Sequence, residues 1–478
     1  MRTPAVRQPI HYFIHATRTL GLCLFALSAI TSHGQTSEFA RGKIIEKVLC
    51  QADATQSYAL YLPANYTPDK AWPILYGFDP GGRGRQPVEL YSEAAERFGW
   101  IVVGSNNSRN GPGVPLSNIL TTLWRDTHER LAIDDRRVYA TGMSGGARVA
   151  GRLALGTKGA VTGLIACGAG LPTEQAPKKD WRFAVFGIGG LEDFNLIELH
   201  QLDDALSKAG LTHQLLMHDG AHTWPPKAAL AEAVEWMEVQ ALKNGLRAKD
   251  DKLIADLYAQ ATDRARQFEE EGKLYHAFVR YSIVASSFNG LHDTADAAAQ
   301  AQRLKNTKEV QAMTAQLKQA DNLQERRMQE FMAALHAVDS DEDRPQSLAS
   351  AKNLAAQLRK QSADPQPTTD RIVARRLLGQ FAVSANEQAN EAMFRKSYAR
   401  AAAILTIAVE IRPENTQTWL RLAAARAQSG DKRGALDALK QAVAHGFTDA
   451  TRLEQGSEYA ALRQEKEFKA LVEQLKAK

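Results

Sequence analysis

Between residues 43 and 242, short apolar runs alternate with longer segments whose apolar residues recur at helical spacing. The runs are rich in Val, Ile, Leu and aromatic side chains, which is typical of buried strands. Strands that alternate with helices predict an α/β domain with a mostly parallel sheet. The predicted strands are two within 43–62 and one each at 72–77, 100–104, 137–141, 161–167, 182–187 and 212–217. The predicted helices are 87–98, 116–131, one starting at 147, 196–209 and 227–242, and a turn is predicted at 133–136.

After Lys243 the strand pattern ends and helical periodicity continues to the end of the chain. Small and large apolar positions recur there at an offset of 34 residues, so that Ala401, Leu405 and Ala408 are matched by Ala435, Leu439 and Ala442. This spacing predicts stacked helical hairpins, in which small residues let helices approach and leucines fill the seam. A weaker unit of the same kind is predicted at 258–290. The predicted domains are an α/β domain at 43–243, a helical linker or repeat region at 244–392 and helical repeats at 393–478.

The first 34 residues have the pattern of a secretory signal peptide. Basic residues precede the apolar run 20–30, and the small residues Ser32 and Gly34 fit a cleavage site before Gln35. The run is too short to span a bilayer comfortably. We therefore expect export to the periplasm or the medium, with an uncleaved N-terminal membrane anchor as the alternative.

One pentapeptide, Gly142-Met-Ser144-Gly-Gly146, fits the G-x-S-x-G pattern between a predicted strand and a predicted helix. That context is typical of a nucleophile elbow, a strained turn that exposes a serine hydroxyl above the end of a sheet. The flanking glycines let neighbouring backbone pass without Cβ clashes. Ser144 is therefore the candidate nucleophile, and the N–H of Gly145 is a candidate donor to the developing oxyanion.

Two further side chains complete a candidate Ser-His-Asp triad, and each follows a predicted strand. Asp193 lies in the loop after 182–187 and would orient a histidine; Glu192 is the second choice. His222 lies in the loop after 212–217 and is the candidate general base, with His218 as its competitor. The chain order Ser, Asp, His is that of α/β-hydrolases and differs from chymotrypsin and subtilisin.

The loops after two other strands are candidate parts of the same site. A glycine-rich loop follows 72–77, and the backbone N–H of Phe78 or Asp79 is the candidate second oxyanion donor. A phosphate-binding loop is the rival interpretation, but its glycine and lysine patterns are absent there. Asn106 and Asn107, after the next strand, are candidate substrate contacts, although loop asparagines more often satisfy nearby backbone. Trp224 is a third candidate contact.

The stretches 133–146 (Ile-Asp-Asp-Arg-Arg-Val-Tyr-Ala-Thr-Gly-Met-Ser-Gly-Gly) and 220–225 (Gly-Ala-His-Thr-Trp-Pro) resemble those of secreted α/β-hydrolase esterases, which include polyhydroxybutyrate depolymerases and feruloyl esterases. The resemblance implies an eight-stranded, mostly parallel sheet with flanking helices and Ser144 as nucleophile. Two features depart from it: Tyr76-Gly77 replaces a common His-Gly, and 79–84 is not the usual oxyanion-loop sequence. The 34-residue repeats resemble tetratricopeptide repeats, which implies an all-α domain that binds a protein partner or supports the hydrolase.

Composition and charge restrict the function without choosing it. The apolar content of 44% and the charged content of 24% are those of a globular protein. The formal charge of +5 falls by three when residues 1–34 are removed, which gives no argument for nucleic-acid binding. Cys50 and Cys167 would remain, either paired or as buried thiols, and no Cys/His cluster indicates a metal. We expect no metal or organic cofactor.

Together these features predict an exported serine hydrolase that cleaves carboxylic esters through an acyl-enzyme. A serine peptidase of the same fold is the nearer alternative. The more distant one is a catalytically silent, hydrolase-like adaptor that acts through its helical repeats. The expected partners are a small or polymeric ester and a protein bound by the repeats.

Overall fold

The computed structural model describes residues 39–172, 176–337 and 344–477. The predicted signal peptide at 1–34 lies outside these residues. From Glu38 to Lys478 the chain forms one compact unit, in which the sheet and the C-terminal helices share contacts.

An eight-stranded sheet forms the first half of the unit, as predicted. Its strand order is β1-β2-β4-β3-β5-β6-β7-β8, with β2 antiparallel to its neighbours β1 and β4 and every other neighbouring pair parallel. The carboxyl ends of β3 to β8 therefore meet at one edge, where α/β sheets bind ligands. The strands are β1 Ile44–Leu49, β2 Ser57–Tyr61, β3 Trp72–Phe78, β4 Ile101–Ser105, β5 Ile133–Met143, β6 Val161–Cys167, β7 Ala184–Glu192 and β8 His213–Ala221.

Five helices cover the two faces of this sheet. Alternate side chains of each strand point to opposite faces, so that Leu75 contacts the core beneath α1 and α5 while Ile74 contacts the core beneath α2 and α3. Both faces are apolar because both are covered, which is why the strands appear as nearly continuous apolar runs. The helices are α1 Arg85–Phe98, α2 Leu116–Arg130, α3 Gly145–Gly156, α4 Leu196–Ala209 and α5 Lys227–Lys243.

Three strands near the candidate site are longer than predicted. β7 continues to Glu192, the second-choice acid, so that residue ends the strand rather than lying in the loop after it. β5 begins at Ile133, because Ile133 pairs with Trp72 before the register shifts towards Val138. The prediction of a turn at 133–136 is therefore wrong. β8 continues to Ala221, because Ala221 still pairs with Glu192 at the end of β7. His222 thus follows directly on a strand rather than lying within a loop that starts at His218.

The second half of the unit is helical, as predicted. Ala401, Leu405 and Ala408 are buried on one helix, and Ala435, Leu439 and Ala442 are buried at the matching positions of another. The identification of these helices as tetratricopeptide repeats stays a prediction. The helices are α6 Asp251–Glu270, α7 Leu274–Ser287, α8 Ala295–Lys305, α9 Lys308–Ala337, α10 Arg344–Ser362, α11 Thr369–Phe394, α12 Tyr398–Ile411, α13 Thr416–Ser429, α14 Lys432–Ala444, α15 Ala450–Gln455 and α16 Lys466–Lys476, with a 3₁₀-helix at Ser457–Leu462. We call residues 251–477 the helical region.

The sheet and the helical region share an apolar core. Val239 and Leu242 of α5 pack in one cluster with Ile254, Leu257 and other residues of α6 to α9. Among the described residues, none of these helices is long and apolar enough to cross a membrane.

Glu238 is the centre of a buried polar network next to this core. Its carboxylate is fully buried and accepts hydrogen bonds from Trp100 Nε1 at 2.5 Å, from Arg247 Nη1 at 2.5 Å and from Arg137. A buried carboxylate is tolerated only when paired and hydrogen-bonded in this way. The network joins α5 to β5, to the residue before β4 and to the segment that leads into α6.

Cys50 and Cys167 are both buried and both free. Burial, with the nearby Asp126 carboxylate as a smaller cause, raises the pKa of the Cys50 thiol to about 11. Burial raises the pKa of the Cys167 thiol to about 12. Of the two alternatives for these residues, the structure has the unpaired thiols.

The Glu238 network makes a stability prediction. Replacing Glu238 by Gln removes the charge between Arg137 and Arg247, so we expect the free energy of unfolding to fall by about 3 kcal/mol, as when one partner of a buried ion pair is lost. Urea unfolding of the full chain measures it. The control is Glu473→Gln on the exposed surface of α16, expected to change stability by about 0.5 kcal/mol or less. Equal effects of the two substitutions would contradict the assignment.

Candidate active site

Ser144 occupies the turn between β5 and α3 in a strained conformation. Its backbone has φ 54° and ψ −120°, which is unfavourable for a residue with a Cβ. Ser144 N–H donates to the carbonyl of Cys167 at the end of β6, and Ser144 O accepts from Ala147 and Arg148 in the first turn of α3. The surrounding hydrogen bonds therefore hold the strained conformation, as expected of a nucleophile elbow.

Close backbone packing explains the two outer glycines of the pentapeptide. A Cβ on Gly142 would lie 2.3 Å from the carbonyl carbon of Gly146. A Cβ on Gly146 would lie 2.0 Å from the carbonyl oxygen of Phe78 at the end of β3. The first contact allows the sharp turn, and the second lets α3 start directly against the central strand.

Asp193 and His222 are joined by a hydrogen bond. His222 Nδ1 donates to Asp193 Oδ1 at 2.7 Å, and the same oxygen accepts from Asn195 N–H at 2.8 Å. Asp193 is 1% exposed, whereas the His222 side chain is 15% exposed. This arrangement fixes the imidazole orientation and leaves Nε2 as the nitrogen available for proton transfer.

The two competing residues have other partners. Glu192 Oε1 accepts from Arg375 Nη1 at 2.7 Å. His218 Nδ1 lies 2.9 Å from the carbonyl of Asp219, next to it in the chain. The structure therefore brings together the first-choice pair, Asp193 and His222; their catalytic roles stay a prediction.

The segment after β6 connects the serine turn to the aspartate loop. Gly168 has φ 58°, and a Cβ there would lie 2.5 Å from Met143 Cε and 2.8 Å from Asp193 Oδ2. Asn195 Nδ2 donates to the Gly168 carbonyl at 2.8 Å. Gly168 thus lets the end of β5 and the Asp193 carboxylate approach the same point.

The predicted oxyanion donors surround the start of α3. Gly145 is the first residue of that helix, so its N–H has no acceptor within the helix. The Phe78 carbonyl and the Asp79 nitrogen lie within 3.3 Å of the position a Gly146 Cβ would take. The Asp79 amide is therefore next to the elbow, and the choice between Phe78 and Asp79 as the second donor stays a prediction.

The Asp79 carboxylate organises the loop after β3. It is buried and accepts from Gly81 N–H at 2.8 Å, from Arg83 Nε at 2.8 Å and from Trp224 Nε1 at 2.9 Å. Burial by itself raises the pKa of Asp79, but these hydrogen bonds outweigh it and hold that pKa below its ordinary value. The bond to Trp224 connects the loop after β3 to the loop that carries His222.

The predicted substrate contacts have structural partners. Asn106 Nδ2 donates to the Glu46 carbonyl and to Ser57 Oγ, both at 3.2 Å. Asn107 Oδ1 accepts from Ser57 N–H at 2.8 Å. These asparagines fasten the loop to β1 and β2, and the Trp224 indole N–H binds Asp79, so their substrate roles stay a prediction.

Two residues near the triad escaped the sequence analysis. The Asn110 side chain covers Gly145, because its Oδ1 is 1.9 Å from the position of a Gly145 Cβ. The Phe194 ring packs on the His222 ring with centroids 3.9 Å apart. Asn110 lies in the same polar loop as Asn106 and Asn107. The polar composition of the loop indicated a candidate site but did not distinguish Asn110 from its neighbours. Phe194 follows Asp193 directly. Its apolar side chain indicated burial, but nothing in the sequence indicated a contact with His222.

The described residues contain no group of three or more His, Cys, Asp or Glu side chains arranged to hold a metal ion.

No family model and no curated protein sequence matches this chain. Among solved structures it is similar to an S-formylglutathione hydrolase from Staphylococcus aureus, at 12% identity over 41% of this chain and 97% of that one, with a TM-score of 0.34. It is similar to esterase 2 of Thermogutta terrifontis phosphonylated by sarin, at 14% identity over 44% and 96%, with a TM-score of 0.34. A ferulic acid esterase gives 17% identity over 41% and 97%, also with a TM-score of 0.34.

The Asp79 contacts predict a pH-dependent contribution to stability. We expect Asp79→Asn to lower the free energy of unfolding by about 2 kcal/mol at neutral pH, because bonds to a charged acceptor are lost. The folded-state pKa lies below the ordinary value of about 3.9, so the carboxylate stabilises the fold fully above that value and loses this effect as pH falls through the folded-state pKa.

Urea unfolding of wild type and Asp79→Asn at several pH values checks this. The stability gap should be constant between pH 7 and pH 5 and should narrow below about pH 4. The control is Asp180→Asn, which replaces an exposed carboxylate. A gap that widens with falling pH would contradict the role given to Asp79.

Proposed function

We propose that this protein is a serine hydrolase that cleaves carboxylic esters. The observation that carries the proposal is the 2.7 Å bond between His222 and Asp193, at the sheet edge where Ser144 occupies its left-handed turn. A serine hydroxyl is a weak nucleophile until a positioned base takes its proton. An acyl-transfer site needs a nucleophile, an oriented base and an oxyanion donor. The Ser144 turn, the His222 imidazole and the Gly145 N–H would supply these three parts.

In the acylation step, Ser144 Oγ attacks the ester carbonyl carbon while His222 Nε2 takes the hydroxyl proton. The carbonyl oxygen becomes an oxyanion that accepts from Gly145 N–H and from the amide of Phe78 or Asp79. The Asp193 carboxylate stabilises the imidazolium. His222 then gives its proton to the alkoxide oxygen, the alcohol leaves, and the acyl group stays on Ser144.

In the deacylation step, His222 takes a proton from water as the water oxygen attacks the acyl carbon. The second oxyanion accepts from the same donors. Its collapse breaks the bond to Ser144 Oγ, returns the proton to the serine and releases the carboxylic acid. The two steps together consume one ester and one water and release one alcohol and one carboxylic acid.

The preference for esters over amides rests on the resemblance of 133–146 and 220–225 to secreted esterases. An amide substrate passes through the same intermediates but needs full protonation of its leaving nitrogen by His222. Hydrolysis of p-nitrophenyl esters compared with p-nitroanilides distinguishes the two. A faster anilide reaction would favour the peptidase alternative.

The triad predicts covalent labelling by a fluorophosphonate. We expect the purified full chain to be labelled and Ser144→Ala to be unlabelled. Asp193→Asn should lower kcat for a p-nitrophenyl ester by on the order of 10⁴-fold, as when a triad aspartate is replaced in other proteins. Mass spectrometry of the labelled peptide and steady-state kinetics measure these results.

The matched control is Asp204→Asn on the exposed side of α4, which should keep wild-type kcat. Folding of each variant is checked by circular dichroism. Folded wild type that no fluorophosphonate labels would refute the hydrolase proposal and favour the adaptor alternative.

We further propose that the protein is exported. Arg2, Arg7 and Arg18, the apolar run 20–30 and the small residues before Gln35 support it. N-terminal sequencing of the soluble exported protein should begin at Gln35. Ser32→Phe together with Gly34→Phe should block cleavage and leave a membrane-bound precursor, because both small residues before the cleavage site are lost. A soluble chain that keeps Met1 would contradict the proposal.

A further inference from the structure

The loop that carries Asp193 is covered by the helical region. We call residues Leu191–Asn195, which are the last two residues of β7 and the turn after it, the acid loop. Helices α9 and α11 contact its backbone, its side chains and the helix that follows it. The site proposed above lies at the sheet edge, yet the support of its acidic member comes from residues more than 120 positions later in the chain.

Arg376 of α11 binds the start of the acid loop. Its side chain is fully buried, and its Nε donates to the Leu191 carbonyl at 2.9 Å. Nη1 donates to Asp321 Oδ1 of α9 at 2.8 Å and to Gln324 Oε1 at 3.3 Å. Burial lowers the pKa of the Arg376 guanidinium, and the charges of Asp321, Asp193 and Glu192 act against that effect. The arginine therefore also lies within the electrostatic range of the catalytic aspartate.

Gln324 of α9 binds the other end of the acid loop. It is 1% exposed, and its Nε2 donates to the Phe194 carbonyl at 2.6 Å and to Gln380 Oε1 at 3.0 Å. The carbonyls that Arg376 and Gln324 bind flank Asp193 on both sides. Because neither carbonyl faces solvent, losing a donor would leave it unsatisfied and free to rotate with its peptide.

The Phe194 ring lies between α11 and the His222 imidazole, so the position of α11 affects the position of the imidazole. A Cβ on Gly379 would lie 2.9 Å from Phe194 Cδ1, so the ring lies against the helix backbone. The same ring packs on the His222 ring, with centroids 3.9 Å apart and the two planes tilted by 33°. Glycine at 379 thus sets how far the ring stands from α11 and how closely it supports His222.

Charged contacts surround this arrangement. Arg375 and Arg371 of α11 face Glu192, at 2.7 Å and 3.8 Å. Asp321 Oδ2 lies 2.7 Å from His200 Nδ1 on α4, which begins where the acid loop ends. The helical region therefore holds the acid loop at its backbone, at its side chains and through the next helix.

We propose that Gln324 and Arg376 are positioning residues of the proposed hydrolase, and that the helical region holds Asp193 and His222 in their reactive geometry. The inference rests on the proposed function. It assigns the helical region a part in turnover that neither a passive spacer nor a partner-binding module would have. Displacement of a reacting group by about 1 Å can cost about 10²-fold in rate.

The test uses two variants of the full chain. Gln324→Met keeps the side-chain length but removes the donor to the Phe194 carbonyl. Gly379→Ala adds a methyl group against Phe194 and raises helix propensity, so it keeps α11 folded while displacing the ring from its place. For each we expect kcat to fall on the order of 10- to 100-fold and KM to change by less than about twofold. Fluorophosphonate labelling should slow by the same factor as kcat.

Matched controls separate positioning from general effects on the helical region. Arg421→Lys changes a half-buried arginine of α13 that binds Asn386 and Asn390 of α11 and does not contact the acid loop. Gly156→Ala adds a methyl group at a helical glycine with nothing within 4 Å. Both controls should keep wild-type kcat. Thermal unfolding of every variant is recorded, and kcat is compared at a temperature at which every variant is folded.

The outcomes distinguish the two proposals. Labelled wild type together with Gln324→Met and Gly379→Ala at wild-type kcat would overturn the positioning role and leave the hydrolase intact. A fall in kcat equal to that of Arg421→Lys would also overturn it. Unlabelled, folded wild type would refute the proposed function itself. A fall in kcat confined to the two acid-loop variants, at unchanged KM and with both variants folded at the assay temperature, is the result expected.

Discussion

The candidate site depends on one close approach, that of the first turn of α3 to the end of β3. Gly146 allows it, because a side chain there would meet the Phe78 carbonyl at 2.0 Å. The approach brings the first amides of α3 beside the loop after β3, and it forces Ser144 into a left-handed conformation. The conformation of Ser144 and the position of the candidate oxyanion donors thus depend on the same contact. Backbone packing, rather than side-chain binding, sets their geometry.

Around this contact, three loops from separate strands are fastened to each other by buried polar groups. Asp79 joins the loop after β3 to Trp224, and Asp193 joins the end of β7 to His222. Gln324 and Arg376 fasten the second of these from the helical region. Each link is a carboxylate or a carbonyl with its donors in place, so buried hydrogen bonds position the loops of the candidate site.

Local patterns were enough to predict the sheet, the helices and the triad candidates. Ser144 lies in a pentapeptide whose glycines allow close backbone packing, and Asp193 and His222 each follow an apolar run. The predicted turn at 133–136 was wrong, because pairing of Ile133 with Trp72 extends the strand through polar residues. Arg376 and Gln324 were beyond reach, since a buried arginine and glutamine in helices resemble a solvated helical face until tertiary contacts are known.

Helix α5 is buried almost all round: ten consecutive residues, from Ala233 to Leu242, have little or no exposure. It lies between the sheet on one side and α6 and α7 on the other. A helix of this kind has no surface that would serve as the outside of a free-standing domain. The chain is therefore not modular at this point. Recombination that exchanged the helical half for another would expose the apolar residues of α5 to water. The two halves can therefore be inherited only together.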